Sequence, residues 1–589
     1  MDALELVVVL GATILVGGVV AQRIRVASPL VLLVLGALVG FVPGLGEVQL
    51  SSDVVLLLFL PALLYWESLN TSLREIRSNL RTISLLAVGL VLATAAVVAV
   101  IAHAFGLSWA LAIVLGAVIA PTDPTAVASV AGRLPRRVIT TLRAESLVND
   151  GTALVLYGVA VTAVVSGSGI DVGAAVVRFF ASYGLGIAVG LAVGYGVFVV
   201  RRYIGNRLLE NTLSVLTPFL AYLPAEALGV SGVVAVVTAG LLLTQLGPSV
   251  IDAHARVQGA GFWQVTTYLL NGTLFVLVGL EFHRTLRVVL HDDWVTAVGL
   301  ALLCTLAVIG VRIVWVNTTP YASRLLDRRE SQRGTLMPFR ARLPIAWAGF
   351  RGAVSLAAAL GVPTMTTAGH AVDDRDLVIF ATFTVIAVTL VLEGLTMPAV
   401  VRWADLPDDP REAREEISAE RAALHGALDV LDETASRIGS PDGVRSDLQH
   451  DMERRLQRLE RDAREHDESA EHDPSIHGNP AGTDVLDDVG DTDAGGSGGG
   501  PVDESSAADA TASDRTHGAD LLDDEAAELQ RERDDEQAEI ALRLELLGAK
   551  RRAVLDLRKR RAIDDEVVRR IQTRFDVEEI RLAAIVEDD

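Results

Sequence analysis

Residues 109–125, WALAIVLGAVIAPTDPT, form an apolar run that breaks at two prolines flanking an acid. Pro121 and Pro124 lack backbone donors and interrupt a helix. In lipid, the carbonyls so freed persist only where protein or a water-filled cavity satisfies them. At 1.5 Å per residue, Asp123 lies roughly 21 Å along the helix from Trp109, near mid-membrane once tilt is allowed. A broken helix carrying a carboxylate at that depth is a pattern expected of a cation site. The plainer alternative is a proline kink with Asp123 capping the second half-helix.

The next run carries Glu145-Ser146-Leu147-Val148-Asn149-Asp150-Gly151-Thr152. Glu145 and Asn149 are spaced i,i+4, as are Ser146 and Asp150, so the two pairs form adjacent stripes on one helix face. Asp150 lies about 18 Å in from Val138, counted from the opposite side. Spans running in opposite directions thus bring Asp123 and Asp150 to similar depth. Thr122, Asp123, Glu145, Ser146 and Asp150 together offer oxygen ligands suited to a hard cation, whereas no His/Cys cluster points to zinc or copper. A hydrogen-bonded structural network is the competing reading.

Composition agrees with a membrane chain. Of 589 residues, 51% are hydrophobic, and mean hydropathy is +0.41. Residues 406–589 hold 50 of the 73 acidic and 25 of the 51 basic residues, so the net charge of −22 resides in the tail and residues 1–405 carry +3. A nucleic-acid binder with a basic face is excluded, and one cysteine, Cys304, excludes an intrachain disulfide. The only lysines are Lys550 and Lys559, so no phosphate-binding loop with its lysine exists in residues 1–405. Met1-Asp2-Ala3-Leu4-Glu5 lacks the basic start of a signal peptide, and the first apolar run reads as a retained helix.

A bilayer core of about 30 Å needs about 20 apolar helical residues per crossing. Thirteen runs qualify, near 4–22, 28–44, 53–69, 83–105, 109–131, 138–165, 173–200, 209–224, 228–247, 262–281, 292–318, 343–362 and 377–401. Loops after odd-numbered runs collect arginine, as with Arg74, Arg77 and Arg81, or Arg133, Arg136, Arg137 and Arg143. Loops after even-numbered runs are mostly short, neutral or acidic, as with Asp373, Asp374 and Asp376, though the tenth mixes Arg284 and Arg287 with Asp292 and Asp293. Positive loops mark the cytoplasmic side, so the expectation is an all-α polytopic cell-membrane protein, N-terminus outside and C-terminus cytoplasmic. With the seventh run as a linker, runs 1–6 and 8–13 form two inverted six-helix repeats, an arrangement that places a transport site at the midplane. Beyond the transmembrane domain, residues 1–405, the tail divides into a charged helical segment, 406–465, a Gly/Ser-rich acidic linker expected to be disordered, 466–518, and a second helical segment, 519–589. The tail is either a solvated appendage or a regulatory or oligomerising element with an unidentified partner.

Further polar residues fall inside the runs. Arg351, in Trp347-Ala348-Gly349-Phe350-Arg351-Gly352-Ala353, lies roughly 12 Å from Leu343 and needs an anionic or carbonyl partner at that depth. Glu145 is the first candidate and the Asn149 amide oxygen the second. Glu67 could line an access funnel, pair with an arginine or reach the interface, and Glu393 is a weaker case of the same kind. Gly186, Gly190 and Gly194 read as a helix-packing stripe, within one chain or across a dimer. Gly229-Val230-Ser231-Gly232 fits the GxSG pattern of intramembrane serine proteases, which would need a base from His254 or His283. A cation channel is a further alternative.

Ala120–Val127 (APTDPTAV) followed by Glu145–Tyr157 (ESLVNDGTALVLY) resembles the paired signatures of the NhaP-type sodium/proton exchangers, the electroneutral branch of cation:proton antiporters. Phe350-Arg351-Gly352-Ala353 and the proline-containing run Phe59–Asn70 resemble further motifs of that branch. The resemblance spans roughly residues 50–400. It implies a homodimeric antiporter in membrane lipid with crossed broken helices, serving pH homeostasis and salt tolerance, and no cofactor. Asp150 would bind Na+, Li+ or K+ and a proton in turn, with Thr122, Glu145 and Ser146 completing the cation site directly or through water. Asn149 stands where the electrogenic branch has a second aspartate, which implies one-for-one exchange.

Overall fold

Lipid offers backbone groups no hydrogen-bonding partner, so long apolar runs close into helices. The computed structural model describes residues 3–24, 26–42, 55–78, 83–123, 136–167, 172–247, 250–289, 294–326, 339–406, 410–471 and 517–588. Among these residues the regular elements are helices, with one isolated antiparallel bridge between Met365 and Ala371. The chain runs through α1 (Ala3–Ile24), α2 (Ser28–Val39) and a π turn, Val55–Phe59, that enters α3 (Leu60–Leu69). After α4 (Leu73–Ser78), a second π turn, Leu85–Gly89, enters α5 (Leu90–Ala104), and then come α6 (Trp109–Ile119), α7 (Arg136–Ser166) and α8 (Val172–Arg201). The second half holds α9 (Arg207–Ala227), α10 (Gly232–Leu246), α11 (Ala253–Val289), α12 (Trp294–Leu326), α13 (Phe339–Trp347), α14 (Ala353–Leu360) and α15 (Arg375–Ala404).

Each of the thirteen apolar runs contains helix among its described residues, two half-helices in the case of 343–362, and the 109–131 run is helical only to Ile119. Among the described residues, seven helices are long and apolar enough to cross a bilayer by themselves, and four shorter apolar ones include α6 and α10. The breaks after α6 and between α13 and α14 fall in the fifth and twelfth runs, seven apart, the offset that relates the two expected halves. Pro124 and residues up to 131 lie outside the described residues, so the capping alternative for Asp123 does too. Leu4, Leu15, Val177, Phe180 and Leu306 are exposed, as side chains against acyl chains should be.

Without a hydrophobic drive between helices in lipid, close backbone approach at small residues holds them together. The glycine stripe of α8 serves this within one chain. A Cβ at Gly190 would stand 2.4 Å from the Ala235 carbonyl oxygen of α10, and one at Gly186 would stand 2.8 Å from that of Ser231.

The chain divides into two compact units. One is Met1–Asp409 with Asp564–Arg569, and the other is Pro410–Ile563 with Arg570–Asp589. The second unit contains α16 (Pro410–Ile438), α17 (Asp442–Glu471), α18 (His517–Lys559) and most of α19 (Asp565–Asp588). Leu424, Leu431, Leu448, Met452, Leu542 and Leu546 form its apolar core. Arg574 pairs with Glu416, and Arg551 with Asp576 at 2.6 Å. Burial pulls the Lys550 ammonium below its ordinary range, and Glu578 at 3.6 Å opposes that shift. Of the linker expected at 466–518, all but 466–471 and 517–518 lies outside the described residues.

Replacing Gly190 with leucine should wedge α8 from α10 and cost about 1–3 kcal/mol, the usual penalty of overpacking. Heating of the detergent-solubilised protein should show a lower unfolding temperature for Gly190→Leu, whereas Gly184→Leu, with open space around its Cβ position, should leave it unchanged.

Candidate cation site

The helix that ends at Ile119 continues as non-helical chain through Asp123, and α13 and α14 are separated by residues 348–352. These two extended segments meet. The Asp123 amide donates to the Phe350 carbonyl at 2.8 Å. The Arg351 guanidinium, 1% exposed, donates to the carbonyls of Ala120 and, at 2.8 Å, Pro121. Each break thus supplies what the other lacks. Closeness demands glycine at 352, because a Cβ there would stand 2.4 Å from Asp123 Oδ2.

A second buried network backs the crossing. Arg312 of α12 donates from Nη1 to Glu145 Oε1 at 2.5 Å and from Nη2 to Glu145 Oε2 at 3.2 Å, the two-pronged geometry that suits guanidinium to carboxylate. Arg312 Nε and Nη2 also reach the Ile345 carbonyl of α13. Thr122 Oγ1 donates to Glu145 Oε1 at 3.3 Å, and Asn149 Nδ2 donates to Thr122 Oγ1 at 2.8 Å. Glu145 therefore fixes the threonine next to Asp123.

A cavity of about 460 Å³ opens against these groups. Glu67 and Asn70 from the α3 region, Thr122, Asp123, and Arg143, Ser146 and Asp150 of α7 line it. Gln264, Thr267 and Asn271 of α11 and Ser355 of α14 add polar groups. Asp150 is only 6% exposed, and Glu67 and Asp123 both act on it electrostatically. Glu67 faces Ser146 and Arg143. A concave site lined by several oxygen-bearing side chains has the chemistry that suits a hard cation.

The amino-acid sequence matches the model of the transmembrane sodium/hydrogen exchangers over residues 11–403. It is 41% identical to a protein of Mycobacterium tuberculosis described as an uncharacterized Na+/H+ exchanger, over 98% of this chain and 96% of that one. The chain belongs to the sodium/hydrogen exchanger family. This exchanger is also 29% identical to the Na+/H+ antiporter ApNhaP of Aphanothece halophytica, over 69% of its own length and 75% of the relative's. A sodium, potassium, lithium and rubidium/H+ antiporter of Bacillus subtilis is 29% identical over 68% and 61%. Among solved structures, the sodium proton antiporter MjNhaP1 of Methanocaldococcus jannaschii shares the fold, with a TM-score of 0.54 and 20% identity over 68% of this chain and 99% of that one. The protein is thus an all-helical, multi-pass membrane transporter that exchanges cations for protons, and not an enzyme.

The exchanger's structure revises two expectations. Neither Glu145 nor Asn149 hydrogen-bonds Arg351; the broken helix frees the Ala120 and Pro121 carbonyls beside it, and Glu145 is held by Arg312 instead. Glu145 is accordingly not among the side chains lining the cavity, unlike Thr122, Asp123, Ser146 and Asp150. Arg312 escaped the sequence reading, although a lone arginine amid Leu306–Val316 is the kind of intramembrane charge that signals a partner. Gln264, Thr267 and Asn271 were also missed; their i,i+3,i+7 spacing marks one polar face in an apolar run. Glu67 lines the cavity with Arg143 acting on it, while buried Glu393 faces Arg351, Arg312 and the Gly349 amide. Ser231 of the GxSG motif caps α10, its Oγ accepting from the Val234 amide at 3.3 Å.

Removing one member of the buried pair should be far worse than removing both. Arg312→Met should cost about 3–5 kcal/mol, and Arg312→Met with Glu145→Leu should regain much of it, as expected where a buried charge is stranded and then removed. Thermal unfolding of the single and double variants in detergent checks the sign.

Proposed function

We propose that this exchanger trades one Na+ for one H+ across the cell membrane, and that both compete for Asp150. Thr122, Asp123, Ser146 and Asp150 hold the cation, with Glu67 as a further carboxylate on its path. Glu145 acts one step behind them by orienting Thr122, and Asn149 secures that threonine without adding a second charge beside Asp150. Arg351 keeps the crossing closed. The observation that carries the reading is Asp150 itself: a nearly enclosed carboxylate on the wall of a polar cavity, beside the two crossed breaks.

An ionised carboxylate is costly in the bilayer interior unless something neutralises it. A proton does so by binding covalently, and a sodium ion by coordination. Either loaded form can pass through the rocking motion that alternates access, whereas the bare anion resists it. Competition for one carboxylate couples the two fluxes. Since each ligand brings one positive charge, exchange moves no net charge. The arginine-rich loops support an N-terminus outside and a C-terminus in the cytoplasm. Family likeness supports a homodimer and a role in pH homeostasis and salt tolerance. Likeness to the sodium, potassium, lithium and rubidium/H+ antiporter of Bacillus subtilis favours K+ and Li+ as further substrates.

The test is a pH-gradient assay in proteoliposomes, with sodium, lithium and potassium titrated separately. Asp150→Asn should reduce cation-driven proton flux to that of protein-free liposomes. An imposed membrane potential should leave the wild-type rate unchanged. Flux surviving the replacement would remove Asp150 from the mechanism, and a voltage-dependent rate would refute one-for-one exchange.

A further inference from the structure

A hydroxyl on the cavity wall is unspent. Ser355, in the first turn of α14, lines the cavity and is 2% exposed, and its Oγ has no hydrogen-bond partner among the described residues. A serine near a helix start ordinarily turns its hydroxyl to the backbone, as Ser231 does when it caps α10. Here the N-cap of α14 is Gly352, and no side chain caps the helix. A buried polar atom without a partner costs stability, and folded proteins hold few of them. Its retention on the wall of a cavity points to a partner that arrives from solution.

Other hydroxyls on this wall are already engaged. Thr267 Oγ1 donates to the Trp263 carbonyl at 2.7 Å. Thr122 Oγ1 donates to Glu145 and accepts from Asn149, which leaves it one lone pair. Ser355 keeps both of its lone pairs, and its place suits a cation. The amide end of a helix is the positive end of its dipole and by itself opposes a cation. At the start of α14 that end is offset, because the Asp123 carboxylate stands against Gly352, three residues before Ser355. Ser146 and Asp150 line the same cavity. Hard cations take neutral oxygen ligands beside carboxylates.

We propose that Ser355 is a direct ligand of the transported cation, its Oγ completing the set supplied by Thr122, Asp123, Ser146 and Asp150. The inference deepens the exchange reading and rests on it. Both helix breaks then touch the ion, one through Thr122 and Asp123 and the other through Ser355 at the head of α14. A neutral ligand adds contact without adding charge, so the exchange of one positive charge for another is undisturbed.

Sodium-driven proton flux in proteoliposomes, measured against sodium concentration, tests the ligand role. Ser355→Ala should raise KM for Na+ on the order of tenfold, the size of one lost hydrogen bond to a charged group, with kcat retained. Ser355→Thr keeps the hydroxyl and should bring KM back close to wild type. Ser355→Cys should make Tl+ a stronger competitor of Na+ than it is in the wild type, since a thiol is a softer ligand. Because the hydroxyl bonds nothing in the described protein, Ser355→Ala in sodium-free detergent should unfold at the wild-type temperature or above it, whereas a structural serine would lower it. An unchanged or lower KM in Ser355→Ala, a fall in its unfolding temperature, failure of Ser355→Thr to restore KM, or unaltered Tl+ competition in Ser355→Cys would each overturn the ligand role. If Asp150→Asn abolishes flux while Ser355→Ala changes nothing, only Ser355 is lost; a wild type without sodium-driven flux would sink the exchange reading as well.

Discussion

Backbone groups freed inside a membrane must find partners within the protein, and here two interrupted helices meet that demand by crossing. Arg351 takes the carbonyls of Ala120 and Pro121, and Phe350 returns a carbonyl to the Asp123 amide. Without that reciprocity, neither the Pro121 break nor the gap between α13 and α14 would be tolerable in hydrocarbon. The crossing sets Thr122 and Asp123 beside Asp150. It also explains the sequence at the contact, where Gly352 clears room for the Asp123 side chain.

The buried charges are sorted by this arrangement. Arg312 and Glu145 satisfy each other with paired hydrogen bonds, and Arg351 rests on carbonyl dipoles. A neutral or self-paired scaffold therefore surrounds a cavity whose own carboxylates, Glu67, Asp123 and Asp150, face ligands from solution. In the proposed exchange, separating structural charge from exchangeable charge would allow one carboxylate to change partners without disturbing the helices.

What the sequence revealed follows from what is local. Apolar run length located the helices, the prolines of APTDPT located a break, and axial rise placed Asp123 and Asp150 at one depth. Rise gives height along a helix but not which neighbour stands across from it. Rise alone therefore pairs Arg351 with Glu145, whereas Arg351 rests on the Ala120 and Pro121 carbonyls and Glu145 faces Arg312. Freed carbonyls are invisible in a residue string, although they are the partners a broken helix always offers. The tail's core joins Leu424 to Leu546, and Ser72 bonds Asp565 from 493 positions away, contacts that no periodicity records.

Proton release on sodium binding tests the shared carboxylate most directly. Purified protein in weakly buffered detergent solution should release one proton for each sodium ion bound, and Asp150→Asn should release none. Sodium binding without proton release, or release that persists in Asp150→Asn, would contradict competition at this carboxylate.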